Sequence, residues 1–322
     1  MNQQKLRPHA KTLRILQSGD PHTAFHRMSP ADILLTLGPP RSLLGTSSKT
    51  EKSRSVGVLT RILYFTPGLL CPAATPACLR ACLGHSSGRM MLPSSRVARD
   101  RRSAFYLERP GEFLKRLGAE LTLFLAEAHH VSLQPAARLN GTSDVPWELL
   151  HPDIFESFPD IQFFDYTKIR SRMRAFLSGA SWPKNYHLTF SLDQSTRTLA
   201  RRFLSQGGTV AAVFWPFVPS SWLECPVIDG DRHDARFLDP KGSVVGLLAK
   251  GAARVDLEGF TVRICPSCVR HSTELRLLHV HENTHRITVH VCPRCGFMLR
   301  ASWLRSGLSS PRQNVGGPSQ AA

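Results

Sequence analysis

Apolar and polar positions alternate along much of this chain with two distinct periods. Residues 56–65 are rich in β-branched and aromatic side chains and end at Pro67-Gly68, which predicts a strand running into a loop. Between residues 110 and 130, Phe113, Leu114, Leu117, Leu121, Phe124 and Leu125 recur at helical spacing and predict a long amphipathic helix. Strand-like runs follow at 136–139, 161–166, 186–192 and 210–215, with helical stretches predicted at 169–177 and 196–204 and a further strand at 243–248. Strands alternating with helices imply a parallel sheet. The fold class expected is therefore α/β: a complete or partial (β/α) barrel over residues 55–253, with an open doubly wound sheet as the alternative.

Outside that block the pattern changes. Residues 1–54 read as a basic, largely unstructured leader, broken at Pro39-Pro40. Residues 254–305 read as a zinc ribbon, and the Ser/Gly/Pro/Gln-rich segment 306–322 as a disordered tail. The ribbon rests on Cys265-Pro-Ser-Cys268 and Cys292-Pro-Arg-Cys295. Two residues between cysteines let a tight turn aim both thiolates at one ion, and two such knuckles complete a tetrahedral, structural zinc site. The stretch between them alternates Leu275, Leu277, Val280, Ile287, Val289 and Val291 with polar residues, as a hairpin does, with Thr284 near the turn. His279, His281, His285 and His290 lie in that hairpin either as competing ligands or as surface residues.

Composition narrows the partners. The chain has 322 residues, 42% of them hydrophobic, enough to bury a sizeable core. Lys and Arg number 41 against 24 Asp and Glu, a formal net charge of +17, which favours a polyanion such as nucleic acid, phosphate neutralisation releasing counterions. No stretch supplies the ~18 apolar residues of a membrane span. Residues 1–27 lack an apolar signal core, so a cytoplasmic protein with reduced thiols is expected. Seven of the eight cysteines then read as metal ligands, with Cys225 as a small buried residue.

Polar residues cluster where the predicted strands end, the position of the active site in parallel α/β folds. Asp144, Asp165 and Lys168 are the candidate catalytic residues, the aspartates as general bases or as orienters of the lysine. Asn140, Ser143, Thr167 and Ser191 are candidates for holding a cofactor. Asp193 reads as a helix-capping residue and His187 as a core histidine. The loop 229–234, with Asp229, Asp231 and Asp234, has the oxygen-rich composition of a cation site without calcium-loop spacing. Arg96, Arg99, Arg101 and Arg102 form a basic cluster, either a nucleic-acid face or a solvated helix.

A second cysteine group, Cys71-Pro-Ala-Ala-Thr-Pro-Ala-Cys78-Leu-Arg-Ala-Cys82, follows the first predicted strand. Three thiolates leave one position open on a zinc ion or one iron open on a four-iron cluster. This loop resembles the phage and plasmid family called gene product 88. So do Arg138-Leu-Asn-Gly-Thr-Ser-Asp144 with Pro146-Trp147-Glu148, Phe158-Pro-Asp-Ile-Gln-Phe-Phe-Asp-Tyr-Thr-Lys168, and Asn185-Tyr-His-Leu-Thr-Phe-Ser191. The layout is also similar to radical-SAM-like proteins, whose three-cysteine loop follows the first strand of a barrel. Those proteins space the cysteines by three and then two residues; here the gaps are six and three, and Ala81 precedes the last cysteine. The resemblance implies a 4Fe-4S cluster at Cys71, Cys78 and Cys82, S-adenosylmethionine as cosubstrate, and an enzyme acting on nucleic acid or a nucleotide. Two other readings stand beside it: a non-catalytic, zinc-dependent nucleic-acid-binding protein, and a base-exchange enzyme of the tRNA transglycosylase type.

Overall fold

The computed structural model describes residues 22–300 apart from 257, 272, 283 and 284. Ten strands make the main sheet: β1 (Leu44–Gly45), β2 (Val58–Leu63), β3 (Gln134–Arg138), β4 (Gln162–Thr167), β5 (Tyr186–Ser191), β6 (Thr209–Trp215), β7 (Ser221–Trp222), β8 (Cys225–Asp229), β9 (Val244–Leu248) and β10 (Thr261–Arg263). From β2 to β6 and on to β9, the strands lie side by side in chain order and all run parallel. A doubly wound sheet reverses its order at a switch point, and these six strands have none.

The sheet is open, so of the complete or partial barrel expected the complete form is not found. The short β1 pairs antiparallel with the outer edge of β2. At the far side β8 lies parallel on β9, and β7 turns back antiparallel on β8. These end strands take the hydrogen-bonding edges that closure would need, and among the described residues no ladder joins one end of the sheet to the other.

Six helices concern the site: α1 (Pro30–Leu37), α2 (Pro76–Ala81), α3 (Pro93–Glu108), α4 (Pro110–His130), α5 (Arg170–Ser178) and α6 (Arg197–Ser205). In α4 the buried residues Phe113, Leu117, Leu121, Phe124 and Ala128 recur every three or four positions, one stripe facing the sheet. The principal core joins that stripe to Leu59, Leu63, Ala137, Phe163, Leu188, Phe190, Val210 and Phe214. The opposite face of the sheet is covered in part by the chain after β8, where Ala235 and Phe237 pack on Val58, Ala136 and Phe164.

Several boundaries move. The leader is structured from residue 22 onward: Ser29 and Asp32 form a capping box ahead of α1, Pro30 opens the helix, and Ile33 and Leu34 are buried where it packs on α3. Hydrophobic anchoring of that short apolar patch outweighs the breaker Pro39-Pro40 that follows it. Residues 1–21 and the tail 306–322 lie outside the described residues. β10, expected in the ribbon, belongs to the main sheet. β5 pairs with β6 as far as Ser191 and Ala211, the two strands then part, and β10 enters the gap beside Val213–Trp215 of β6. The ribbon is built from β11 (Arg276–Glu282), β12 (His285–Val291) and β13 (Met298–Arg300), all antiparallel, and Thr284 lies outside the described residues. It is tied to β10 through Leu275 N to Arg263 O (2.7 Å) and Cys265 N to Thr273 O (2.8 Å).

Candidate metal centres and the mouth of the sheet

The two C-P-x-C knuckles meet. Cys265, Cys268, Cys292 and Cys295 bring their sulfurs within 4.8 Å of one another, with Cys265 Sγ 3.7 Å from Cys295 Sγ and Cys292 Sγ 3.8 Å from Cys268 Sγ. The second knuckle turns through Gly296, whose φ of +72° suits a residue without Cβ, and Gly296 N closes on Cys292 O at 3.0 Å. Burial pushes the Cys265 thiol up to about 12, reinforced by Cys292. Burial acts the same way on Cys292, but the backbone N–H groups of Cys295 and Arg294 outweigh it and bring that thiol down to about 7. One knuckle is thus poised to present a thiolate, and the arrangement suits one shared ion. Of the two hairpin histidines whose side chains are described, His279 Nδ1 is 3.1 Å from Thr288 Oγ1, and His290 is buried outside the sulfurs' group.

The loop carrying Cys71, Cys78 and Cys82 emerges from the C-terminal end of β2 and is zipped to the loop after β3. Gly141 N donates to Leu63 O (2.9 Å) and Asp144 N to Leu70 O (2.8 Å), while Cys71 Sγ lies 3.5 Å from Thr142 O. Gly141 is required here, since a Cβ would stand 2.7 Å from Leu63 O and 2.6 Å from Ile62. Thr75 caps α2 by accepting from Cys78 N at 3.2 Å. Ala81 then packs with Ala249 and Ala253 beside Val213, Trp215 and Phe260, which seats α2 over the end of β6. All three thiols are half-buried. Burial lifts the Cys71 thiol well above its ordinary range, and Cys82 and Cys78 lift it further. Burial and Cys78 likewise push Cys82 up to about 11, opposed by Arg99 and Lys168. The three thiols thus repel one another as charges. They do not gather within the 4.8 Å that the ribbon sulfurs share.

Strand parity sorts the polar candidates. Side chains of a strand alternate between faces, so Asp165 and Thr167 share the helix side of β4 with Phe163, while Lys168 lies just past the strand's end. Asp165 is fully buried and accepts from Asn140 N (2.7 Å), Asn140 Nδ2 (3.1 Å) and Tyr186 Oη (2.8 Å). Asn140 Oδ1 in turn accepts from Ser143 Oγ (2.8 Å), Val145 N (2.8 Å) and Trp147 Nε1 (3.3 Å). Asp144 accepts from Lys168 N (2.8 Å) and Arg172 Nη1 (2.6 Å), and Arg172 also reaches both oxygens of Glu148 at 2.8 and 2.7 Å and Tyr186 Oη at 2.8 Å. Thr167 Oγ1 accepts from Ile169 N at 3.0 Å. Asn140, Ser143, Asp144, Asp165 and Thr167 therefore form or border one saturated, buried assembly that holds the loops in place. Arg172, its central cation, carries no sequence signal: it lies 24 residues beyond Glu148 and 28 beyond Asp144, and only the fold brings the three together.

Lys168 and Ser191 do face the mouth. The Lys168 ammonium donates to Ser191 Oγ (3.0 Å), Ser191 O (3.2 Å) and Leu192 O (3.0 Å), and stands 5.4 Å from the centre of the Phe260 ring. Its charge also favours the Cys78 thiolate, which burial disfavours first of all. Asp193 closes the turn into α6 through Ser195 N (2.9 Å), Ser195 Oγ (2.7 Å) and Thr196 Oγ1 (3.1 Å). Thr75 Oγ1 touches it at 3.5 Å, linking the cysteine loop to β5.

Two weaker candidates resolve otherwise. In the loop after β8, Asp231 pairs with Lys250 (2.7 Å) and Lys49 (3.8 Å), and Asp234 with Arg138 (3.2 Å), so basic side chains balance these carboxylates. In the basic cluster Arg99 is buried against Met90 O (3.0 Å) and so leaves the solvated face, while the half-buried Arg102 donates from Nε to Ser42 O (2.8 Å). No helix among the described residues is long and apolar enough to cross a membrane.

A sequence model of the family described as gene product 88 matches residues 42–271, from just before β1 to the first ribbon knuckle. No curated protein and no solved structure matches the chain.

Proposed function

The chain belongs to the gene product 88 family, and from that premise we propose that it is an iron–sulfur protein of radical-SAM-like type, its cluster held by Cys71, Cys78 and Cys82 at the mouth of a partial (β/α) barrel. The observation that carries this reading is the cysteine loop itself: three half-buried thiols at the C-terminal end of the first of six parallel strands in chain order. Three thiols on one loop that stay wider than a single-ion set fit a cluster in which each cysteine binds a different iron. Bound there, such a cluster supplies single electrons, the chemistry that cleaves S-adenosylmethionine reductively.

The chain's own residues have definable parts in this. Lys168 and Arg99 offset the negative charge of the thiolates. Lys168 spends its three hydrogens on Ser191 and Leu192, so its role is electrostatic and not nucleophilic. Asn140, Ser143, Asp144, Asp165 and Thr167 act as positioning residues, keeping the loops after β3 and β4 against the cysteine loop. For the ribbon we infer zinc. Four thiolates at a Zn–S distance of about 2.3 Å stand about 3.8 Å apart at the corners of a tetrahedron, the separation of the two sulfur pairs here.

Nucleic acid or a nucleotide is the substrate class that the charge of +17 favours. That charge also supports the second reading, a zinc-dependent nucleic-acid-binding protein without catalysis, because most polar strand-end residues are spent inside the scaffold. The base-exchange reading needs a free aspartate at the mouth, and Asp144 and Asp165 are both engaged.

Metal content and visible absorption after anaerobic purification test the proposal, on wild type and on a Cys71/Cys78/Cys82→Ala variant. Wild type should be brown, with several irons and one zinc, and the variant should lose its iron alone. A colourless wild type containing only zinc would overturn the cluster and leave the binding protein.

A further inference from the structure

β11 is an edge strand of the ribbon: β12 takes one side of it, and among the described residues no strand lies along the other. Leu275 N donates to Arg263 O (2.7 Å), on the side away from β12. Backbone groups of an antiparallel strand alternate in direction with a period of two, so Leu277 and His279 also aim their N–H and C=O outward. Among the described residues no backbone group pairs with either of them on that side. β10 cannot continue the ladder, because its own groups are spent. Thr261 N donates to Asp256 Oδ2 (3.0 Å), and Arg197 Nη2 donates to Gly259 O (2.9 Å) and Thr261 O (3.2 Å).

Where the two strands part lies a cleft of about 640 Å³, with His290 at its side. Residues 273–278 line it without a break. Successive side chains of a strand point to opposite faces, so it is the backbone edge of β11 that borders the cleft and not one of its faces. Arg276, Leu277, Leu278 and His279 are exposed along this edge. The charge of the cleft is one-sided: Arg197, Arg263 and Arg276 line it, and the acid among its lining residues, Glu274, is paired with Arg197.

We propose that the outer edge of β11 takes an extended acidic peptide segment of a partner protein, added as a further strand along Leu277 and His279. An open edge offers N–H and C=O groups in alternation, and a peptide answers both. A phosphate backbone has acceptors alone and would set its oxygens against the edge carbonyls. A second copy of β11 would bring Arg276 and its neighbours against like charges, so the charge of the cleft selects an acidic occupant. Leu277 and Leu278, 40% and 44% exposed, supply apolar surface that such a strand would cover. The site does not rest on the cysteine-loop reading, so a Cys71/Cys78/Cys82→Ala variant should keep it.

Fluorescence anisotropy of the zinc-loaded full chain with a labelled heptapeptide of alternating glutamate and valine tests this. Wild type should bind it, and should lose most of that affinity when every backbone amide of the peptide is N-methylated. A heptapeptide of alternating lysine and valine should bind at least tenfold more weakly. Leu277→Pro removes one outward N–H and leaves the ladder to β12 intact. It should weaken binding roughly fivefold or more, the loss of a peptide hydrogen bond, with zinc content unchanged. Arg276→Glu, at an exposed position, should weaken binding several-fold and serves if Leu277→Pro fails to fold. No binding of the acidic peptide by wild type would overturn the edge site, as would equal affinity for the N-methylated peptide. So would wild-type affinity in folded Leu277→Pro, or in Arg276→Glu where the first does not fold. Binding of oligothymidylate that Arg276→Glu weakens, with the acidic peptide unbound, would give the cleft to nucleic acid instead.

Discussion

Asp165 shows how a single residue's environment changes its meaning. Burial raises its carboxyl to about 7, with Arg138 and Arg172 opposing. The folded chain holds that proton more tightly than the unfolded chain, where aspartate titrates near about 3.9. The resulting stabilisation is fully present below about pH 4 and is lost as pH rises through about 7. Wild-type stability in urea should therefore fall across that window by a few kcal/mol, at about 1.4 kcal/mol per pKa unit. Asp165→Asn should flatten that part of the profile. An unchanged slope in the variant would show that Asp165 does not titrate there. From the sequence, Asp165 and Lys168 looked like neighbours in one site. Their partners separate them: Asp165 accepts from Asn140 and Tyr186, and Lys168 donates to Ser191 and Leu192.

At the scale of elements, the ribbon is where spacing alone carried furthest. The C-P-x-C pairs and the alternation of apolar residues specify a hairpin between two knuckles, and β11 and β12 pair in register from Arg276–Val291 to Glu282–His285. Few apolar residues are buried around the sulfurs, so a metal ion held there would supply much of the ribbon's folding free energy. Cys265→Ser should lower zinc content by one ion and melt the ribbon, while the α/β body keeps its far-ultraviolet signal. Full zinc occupancy in that variant, measured by elemental analysis, would contradict the assignment. β10 was misassigned to this element because three residues carry too little pattern to reveal their partner. Only the parting of β5 and β6 makes room for them. The buried face of α3 is hidden for a related reason: its arginines read as a nucleic-acid face or a solvated helix, although Ala104, Phe105, Tyr106 and Leu107 are buried.

For the whole molecule, the charge of +17 governs association at a distance. Binding to non-specific single-stranded DNA should weaken by roughly a hundredfold or more between about 50 and 200 mM salt, as expected when several phosphates are neutralised. An affinity indifferent to salt would remove nucleic acid from the reading. The sequence by itself determined the helix–strand alternation, the parallel sheet and both cysteine groups, because these depend on local periodicity and on ligand spacing along one segment. Only the tertiary structure decided that the sheet stays open, that β10 wedges beside β6, and that Arg172 spends Asp144 and Glu148 inside the scaffold. It also decided that Arg263 and His290 meet at the ribbon seam. Each of these joins residues far apart in the chain, and which buried charges find partners depends on packing that no local pattern encodes.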